Sequence, residues 1–432
     1  MPRSPAPETS VQVKAPFDPA EFGLGDRFPA TTYAPASDSE IAKRLRACDA
    51  EGKAVVLFGG GTLQGLGHLP ERYDVALSMR RLDKVLAYEA RDLTIAVQAG
   101  CTLANLERVL AAQGQFVPLD APFAAGTTVG GTLASGWLGP RRATYGRPRD
   151  FVIGTTVALT DGTVAKAGGM VVKNSTGYDI SKLYLGSLGT LGAILRANFK
   201  TIPIPAARRL AVASLPEGTR ARAIANTCAL QLEPAAALVV QGFPDEIDGR
   251  DGVDGRILIL YEGSERLVDR ATRELRSALG SAGVPETRLI DNGTGAAFAR
   301  VIDAYVQPLG ARSATYRSGG YPTDAANRLE SFARVARVSG LALETIEDLR
   351  TGDAIARLSA DTDATFADRI SGFDAERRTA LSGARVISAP AAVRGRLDAW
   401  GAPPASLATM KAVKARFDPN RTLAPGRLVG GI

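Results

Sequence analysis

The sequence predicts an α+β protein built as two unequal halves that meet near residue 205. Three observations lead there. Helix and strand patterns interleave from Asp38 onward, glycine clusters crowd the first 200 residues, and the composition changes after Pro203 and Pro205. Beyond that point the clusters thin out and longer amphipathic helices take over.

Asp38-Ser39-Glu40 reads as a helix start, with the helix running to about Ala50. Ala54 to Phe58 is a buried strand that runs straight into Gly59-Gly60-Gly61-Thr62. Val75 to Met79, Val85 to Tyr88 and Thr94 to Ala99 read as short strands, and Leu103 to Gln113 as an amphipathic helix ended by Gly114. Val152 to Leu159 and Thr163-Val164 form a hairpin around Asp161-Gly162. Tyr178 to Leu185 is expected to be helical and Ala193 to Phe199 a strand. In the second half, Ala236 to Gln241 and Ile257 to Tyr261 are strands, while Arg266 to Leu279 and Asp324 to Val338 are helices, a pattern that suggests a sheet with helices against one face. Near the end Leu407, Met410, Val413 and Phe417 share one helical face, Lys411, Lys414 and Arg416 point elsewhere, and Asp418-Pro419-Asn420 stops the helix.

Composition narrows the function classes. With 45% hydrophobic and 22% charged residues in 432, the chain has the make-up of a soluble globular protein with room for two or three domains. A net charge of +7 favours an anionic cofactor, an anionic substrate or a negatively charged membrane surface. No basic run interleaved with aromatics is present, which argues against nucleic acid. No stretch approaches the roughly 18 apolar residues of a membrane span. Met1 to about Ala30 is rich in Pro, Ala and Ser and lacks an apolar core, so it is expected to be a disordered leader rather than a secretory signal. The expected location is the cytoplasm, or the periphery of the cytoplasmic membrane face. Cys48, Cys101 and Cys228 stand far apart, and His68 is the single histidine. Neither an iron–sulfur cluster nor a metal site of several soft or imidazole ligands can be assembled from that set, so no metal ligand is expected.

Gly59-Gly60-Gly61-Thr62-Leu63-Gln64-Gly65-Leu66-Gly67 has the make-up of an anion nest: residues without side chains let backbone N–H groups converge, and Thr62 and Gln64 can add hydrogen bonds. It is neither a GxxxxGK[ST] loop nor a GxGxxG opening a helix, which removes support from nucleotide triphosphatase and Rossmann readings. Gly126-Thr127-Thr128-Val129-Gly130-Gly131-Thr132 and Gly186 to Gly192 add two further walls. Three such segments suit a long dinucleotide, which needs a pyrophosphate nest, a slot for a flat ring and polar groups between; the alternative is sharp turns in a crowded α+β domain.

Phe58 to Thr62, Thr127 to Gly131, Lys173-Asn174-Ser175-Thr176-Gly177-Tyr178-Asp179 and Gly186 to Gly192, in that order and spacing, resemble the FAD-binding domain shared by vanillyl-alcohol oxidase and p-cresol methylhydroxylase. The resemblance covers roughly residues 30–205. Gly139-Pro140-Arg141-Arg142, Arg149 to Gly154, Glu262-Gly263-Ser264, Ala389-Pro390, Ala399-Trp400-Gly401, and Phe417 to Asn420 through Pro425-Gly426-Arg427 look like the FAD-binding subunit of bacterial glycolate oxidase. The resemblance implies a two-subdomain FAD-binding domain of the p-cresol methylhydroxylase type at 31–205, an α+β cap at 206–390, and a C-terminal segment at 391–432 whose short helix returns to the FAD domain.

By the same resemblance Gly59, Gly60, Gly61, Thr62 and Gln64 receive the FAD pyrophosphate. Thr127, Thr128, Gly130, Gly131 and Ser135 line the second wall, and Gly189, Gly192 and Ile194 approach the far side, with Ile194 near the adenine; Lys173 and Tyr178 are weaker candidates. Relatives with covalent flavin place a histidine where Thr62 stands, so noncovalent FAD is expected. Related D-2-hydroxyacid dehydrogenases use histidines of the second domain around a metal, and no histidine follows His68. That departure favours an electron-carrying subunit of a 2-hydroxyacid dehydrogenase complex, working beside an iron–sulfur subunit and a second, catalytic FAD-binding subunit. The alternatives are a self-sufficient FAD oxidase or dehydrogenase of an alcohol or hydroxy acid with a non-histidine base, and a flavin-free scaffold. No catalytic residue is assigned. Arg141 and Arg142 read equally as anion ligands or as structural ion pairs. Tyr145, Tyr316 and Tyr321 read as acid–base groups or as packing, Cys101 as a mildly activated or a buried structural thiol, and His68 as a loop residue. Ala424 stands where the family commonly has asparagine, so a side-chain contact to flavin or substrate is expected to be missing there.

Overall fold

A computed structural model of the chain describes residues 19–170, 179–215, 221–242, 255–284, 286–291, 293–304, 306 and 310–432. Its first helix, Asp38–Ala50, starts where the Ser37 hydroxyl accepts the Glu40 N–H at 3.3 Å and Glu40 reaches back to the Ala36 N–H at 2.8 Å. Ile41, Leu45 and Cys48 bury one face of that helix in a cluster shared with Val55, Val75 and Leu77 of a small parallel sheet. The sheet runs Thr31–Tyr33, Val75–Ser78, Val55–Phe58 in spatial order. Phe22, expected inside a disordered leader, is instead fully buried edge-on to Phe58 with ring centroids 4.9 Å apart, and its carbonyl accepts the Tyr73 hydroxyl at 2.8 Å. Phe22 and Leu24 share one buried cluster with Val56, Phe58, Tyr73 and Ala76, which packs residues 19–30 against the small sheet.

A second sheet of five antiparallel strands runs Val85–Glu89, Thr94–Gln98, Ala193–Lys200, Val152–Ala158, Val164–Gly168. The hairpin turns at Gly162, whose φ of +86° explains the glycine. Helix Leu103–Ala111 is capped by Thr102 and lies over this sheet. The expected helix from Tyr178 to Leu185 is not formed: among its described residues only a single 3-10 turn, Ile180–Leu183, is present. The chain there must turn sharply at Gly186 and Gly189 (φ +78° and +73°), and the Gly186 N–H goes to the Leu133 carbonyl rather than into a helical ladder.

From Ala207 the chain builds one eight-stranded antiparallel sheet. Helices Glu265–Ser281, Ala325–Val338 and Asp363–Ala380 cover one face, burying Ile259, Val268 and Leu275 in one cluster and Tyr316, Phe332 and Phe373 in another. The opposite face carries Leu210, Leu238, Leu258, Ile346 and Ile387 into a continuous core with Val97, Leu133 and Trp137 of the first half. This sheet is a cap laid on the first half, so groups on its inner face meet the glycine loops. The C-terminal helix, Leu407–Phe417, ends before Pro419 and returns the chain to the first sheet, where Leu423 bridges to Val55. Lys414 does not point away as its helical position suggests. It is buried, and its Nζ donates to the carbonyls of Thr190 at 2.8 Å and Leu423 at 2.9 Å and to Asp418 at 2.6 Å. Those acceptors belong to a distant loop that helical periodicity cannot see. No described helix is long and apolar enough to cross a membrane.

Candidate functional site

Strand Val55–Phe58 delivers Gly59-Gly60-Gly61 to the edge of a cleft of about 720 Å³, and the other two glycine segments arrive at the same cleft. Gly59, Gly60, Gly61, Thr62, Gln64, Thr128, Gly130, Gly131, Ser135, Gly189, Gly192 and Ile194 all line it. Thr127 stands behind the wall, nearly fully buried, with its hydroxyl on the Pro122 carbonyl at 2.5 Å and 2.6 Å from the Thr62 hydroxyl. Lys173 and Tyr178 lie outside the described residues.

The glycines serve two needs. A Cβ on Gly60 would sit 1.7 Å from the Gly126 carbonyl oxygen, and one on Gly59 would sit 2.1 Å from Thr128 Oγ1, so these positions let the first wall touch the second. Gly61 and Gly189 instead supply left-handed backbone, at φ +82° and +73°. Behind the first wall Arg80 Nε donates to the Gly59 carbonyl at 3.0 Å and Nη2 to the Gly60 carbonyl at 3.4 Å. In a trans peptide the N–H is antiparallel to the C=O, so the amides of Gly60 and Gly61 turn away from Arg80. Gln64 supports the loop rather than staying free: its Nε2 donates to the Leu57 carbonyl at 3.1 Å and its Oε1 accepts Arg427 Nη2 at 2.6 Å. Leu57, Leu63, Met79, Ala99 and Leu188 give the cleft apolar surface for flat rings. Arg427 and these apolar residues were not singled out as cofactor ligands in the sequence; the Pro425-Gly426-Arg427 run was the available signal for Arg427.

A second cleft, of about 1080 Å³, lies between helix Leu103–Ala111 and the cap. Arg141 crosses it as a clamp, meeting Asp120 Oδ1 at 2.6 Å and Glu262 Oε1 at 3.2 Å. Glu262 also takes Arg208 at 2.9 Å and the Tyr145 hydroxyl at 2.8 Å. Burial alone would lower the pKa of Arg141, but the two carboxylates outweigh it and raise it. Arg141 is therefore a structural ion pair joining the two halves, and Tyr145 is its companion. Tyr316 is packing, fully buried beside Asp374, while Tyr321 is exposed. Burial raises the pKa of Cys101, which makes it a structural thiol. His68 sits on a loop with its imidazole 3.7 Å from Asp398, and burial lowers its pKa. Ala424 adopts φ +42° while nearly fully buried, a conformation that asparagine tolerates better than alanine.

Arg142 belongs to another cluster, on the inner face of the cap sheet. Its Nη1 is 2.9 Å from Asp353, which also pairs with Arg317. Arg317 donates to the Leu138 carbonyl at 2.7 Å and lies over the Trp137 ring at 5.3 Å, just past the Ser135 end of the glycine cleft. Burial would raise the Asp353 pKa, but Arg317 and Arg142 outweigh it and hold it low. Arg385 stands directly opposite Arg317 on the neighbouring strand and makes no ion pair or hydrogen bond among the described residues. It keeps solvent access, yet the dense surroundings, and then repulsion from Arg317 and Arg142, lower its pKa to about 10. Arg385 thus adds a third guanidinium to the two that share Asp353, with the buried Asp348 also within reach of Arg142, and like charges directly across a sheet are unfavourable.

Residues 29–168 match the family described as FAD binding domain. The fold agrees with that of p-cresol methylhydroxylase with substrate bound, at a TM-score of 0.70 and 15% identity over 92% of this chain and 88% of that one. Residues 29–168 form an FAD-binding domain, and the chain has the p-cresol methylhydroxylase-type fold. It is 31% identical over 185 residues to glycolate oxidase subunit GlcD of Bacillus subtilis (strain 168), covering 43% of this chain and 39% of that protein. It is 33% identical over 192 residues to glycolate oxidase subunit GlcE of Escherichia coli (strain K12), covering 44% and 51%. To D-2-hydroxyglutarate dehydrogenase of Xanthomonas citri pv. viticola it is 33% identical over 182 residues, covering 42% and 39%. The matched segment thus spans about half or less of each relative. FAD suits the domain's cleft: two left-handed glycines, outward-turned amides, an apolar floor and a buried arginine are present, and Thr62 offers no imidazole for covalent attachment.

Proposed function

We propose that this chain is an FAD-dependent dehydrogenase of a small carboxylate-bearing hydroxy acid, able to reduce its own flavin. Under this reading the thirteen glycine-wall residues from Gly59 to Ile194, with Thr127 acting from behind, seat FAD noncovalently. The observation that carries the substrate class is Arg385, an unpaired cation on the cap face opposite Arg317, which itself reaches the Leu138 carbonyl three residues past Ser135. A carboxylate there would relieve the repulsion among Arg142, Arg317 and Arg385 and hold the substrate by bidentate hydrogen bonds. Several relatives carry names of hydroxyacid dehydrogenases, including D-lactate dehydrogenase [cytochrome] of Arabidopsis thaliana, 31% identical over 195 residues. When bound, FAD supplies the hydride acceptor; the chain supplies position and charge.

Anaerobic mixing of the purified, FAD-loaded chain with a panel of D- and L-2-hydroxy acids tests the reading. Bleaching of the flavin within seconds by one member, needing about tenfold more of that member in R385Q, is the expected result. No bleaching by any member would favour the other reading, an electron-carrying subunit. That reading is supported by the absence of any histidine after His68 and by the likeness to the GlcE subunit. It predicts co-purification with an iron–sulfur subunit and a second FAD-binding, catalytic subunit.

A further inference from the structure

Arg427 is 2% exposed, lines the glycine cleft, and makes no ion pair among the described residues. Its Nη2 donates to the Gln64 carbonyl at 3.0 Å and to Gln64 Oε1 at 2.6 Å, but its Nη1 has no hydrogen-bond partner. A charged neighbour aggravates the situation, because Arg394 is also buried without a carboxylate and its Nη2 donates to the Gly67 carbonyl at 2.7 Å. Burial first, and then Arg394, lower the pKa of Arg427 to about 9. Arg394 apart, the guanidiniums at the junction with the cap have carboxylates: Arg141 has two, and Arg142 and Arg317 share Asp353. A buried, uncompensated cation is costly, and the fold keeps one in the wall of a cleft already shaped for an anion.

We infer that Arg427 is the cofactor-directed cation of this cleft, its free Nη1 donating to an electron-rich oxygen of FAD and its charge offsetting that of the cofactor. Two parts of FAD offer such oxygens, the diphosphate and the carbonyl edge of the flavin ring. Gln64 then acts as a positioning residue, holding the guanidinium by its other nitrogen. The inference rests on the cleft being the seat of FAD.

The test compares wild type, R427Q and R427K as apoproteins. FAD affinity is read by flavin fluorescence, affinity for ADP-ribose by calorimetry, and stability by melting temperature without ligand. R427Q is expected to weaken FAD binding by about ten- to a hundredfold, as losing hydrogen bonds to a charged group does. R427K should recover part of the loss. Because the charge is uncompensated before FAD binds, apo R427Q should melt no lower than wild type, while its stabilisation by FAD shrinks. A matching loss for ADP-ribose would mark the diphosphate as the partner; a loss for FAD alone would mark the ring. Wild-type FAD affinity in R427Q, or a fall in its apo melting temperature that accounts for the lost affinity, would overturn the inference. Failure of the wild type itself to bind FAD would instead reject the cleft as the cofactor site.

Discussion

The two clefts of this protein dispose of their polar groups in opposite ways. In the cleft behind helix Leu103–Ala111, of about 1080 Å³, Arg141 and Arg208 each lie against a carboxylate, Asp120 or Glu262, so the cations there are compensated even though Arg208 Nε makes no hydrogen bond. In the glycine cleft, of about 720 Å³, carbonyls are turned to the rear by Arg80 and the Nη1 of Arg427 is left without a partner. Volume does not distinguish a binding site from an interdomain void here; uncompensated charge does. The cap-sheet cluster resembles the glycine cleft in this respect, since Arg385 has no counter-ion among the described residues.

Substitutions should separate the clefts, beginning with the largest effect. Gly60→Ala forces a Cβ to within 1.7 Å of the Gly126 carbonyl, so the first two walls must part. FAD binding, followed by fluorescence titration, is expected to disappear. Arg141→Met leaves the buried Asp120 without its ion-pair partner and Glu262 with Arg208 alone, and should cost roughly 3–5 kcal/mol in urea unfolding, while any protein that remains folded keeps its flavin spectrum. If R141M lost FAD selectively at unchanged stability, the contrast between the clefts would fail. Asp348 tests the cap face through pH. Burial raises its pKa to about 6 from 3.8, so the native state binds more protons than the unfolded state between those values, and stability falls as pH rises through that window. Asp348→Asn should remove roughly 1–3 kcal/mol of that fall, measured as melting temperature against pH. Asp353 has the opposite sign: its pairing stabilises above the ordinary carboxylate range and is lost as pH drops. The smallest effect on the fold is expected from Arg385→Gln, which should leave stability and FAD affinity within error and raise KM for a carboxylate substrate by about tenfold, the worth of one charged hydrogen bond.

Much of the glycine cleft could be read in the sequence because its determinants are local. Left-handed turns and backbone contacts require glycine whatever surrounds them, so Gly61, Gly130 and Gly189 declare themselves one by one. The order of three such segments then pointed to one ligand. What stayed hidden depends on long-range partners. Lys414 reads as a solvated helix residue until the carbonyls of Thr190 and Leu423 are placed around it. Phe22 sits in a Pro- and Ala-rich stretch whose composition says leader, yet its ring fills a space beside Phe58. Arg141 and Arg142 are neighbours with identical side chains, and only the cap sheet separates an interdomain clamp from a member of the Arg317–Asp353 cluster. The strand Gly255–Gly263 runs past Ile257 and Tyr261 because Arg256 and Glu262, charged residues that suggest an end, are buried at the interface.

The most direct test of the account is the flavin itself. The purified chain, reconstituted with FAD and freed of excess by gel filtration, is precipitated with acid and the supernatant assayed for flavin. The account predicts one FAD per chain before precipitation, all of it released into the supernatant, and none retained by Gly60→Ala after the same reconstitution. Flavin that stays with the precipitated protein, or wild-type protein that carries no flavin after reconstitution, would contradict it.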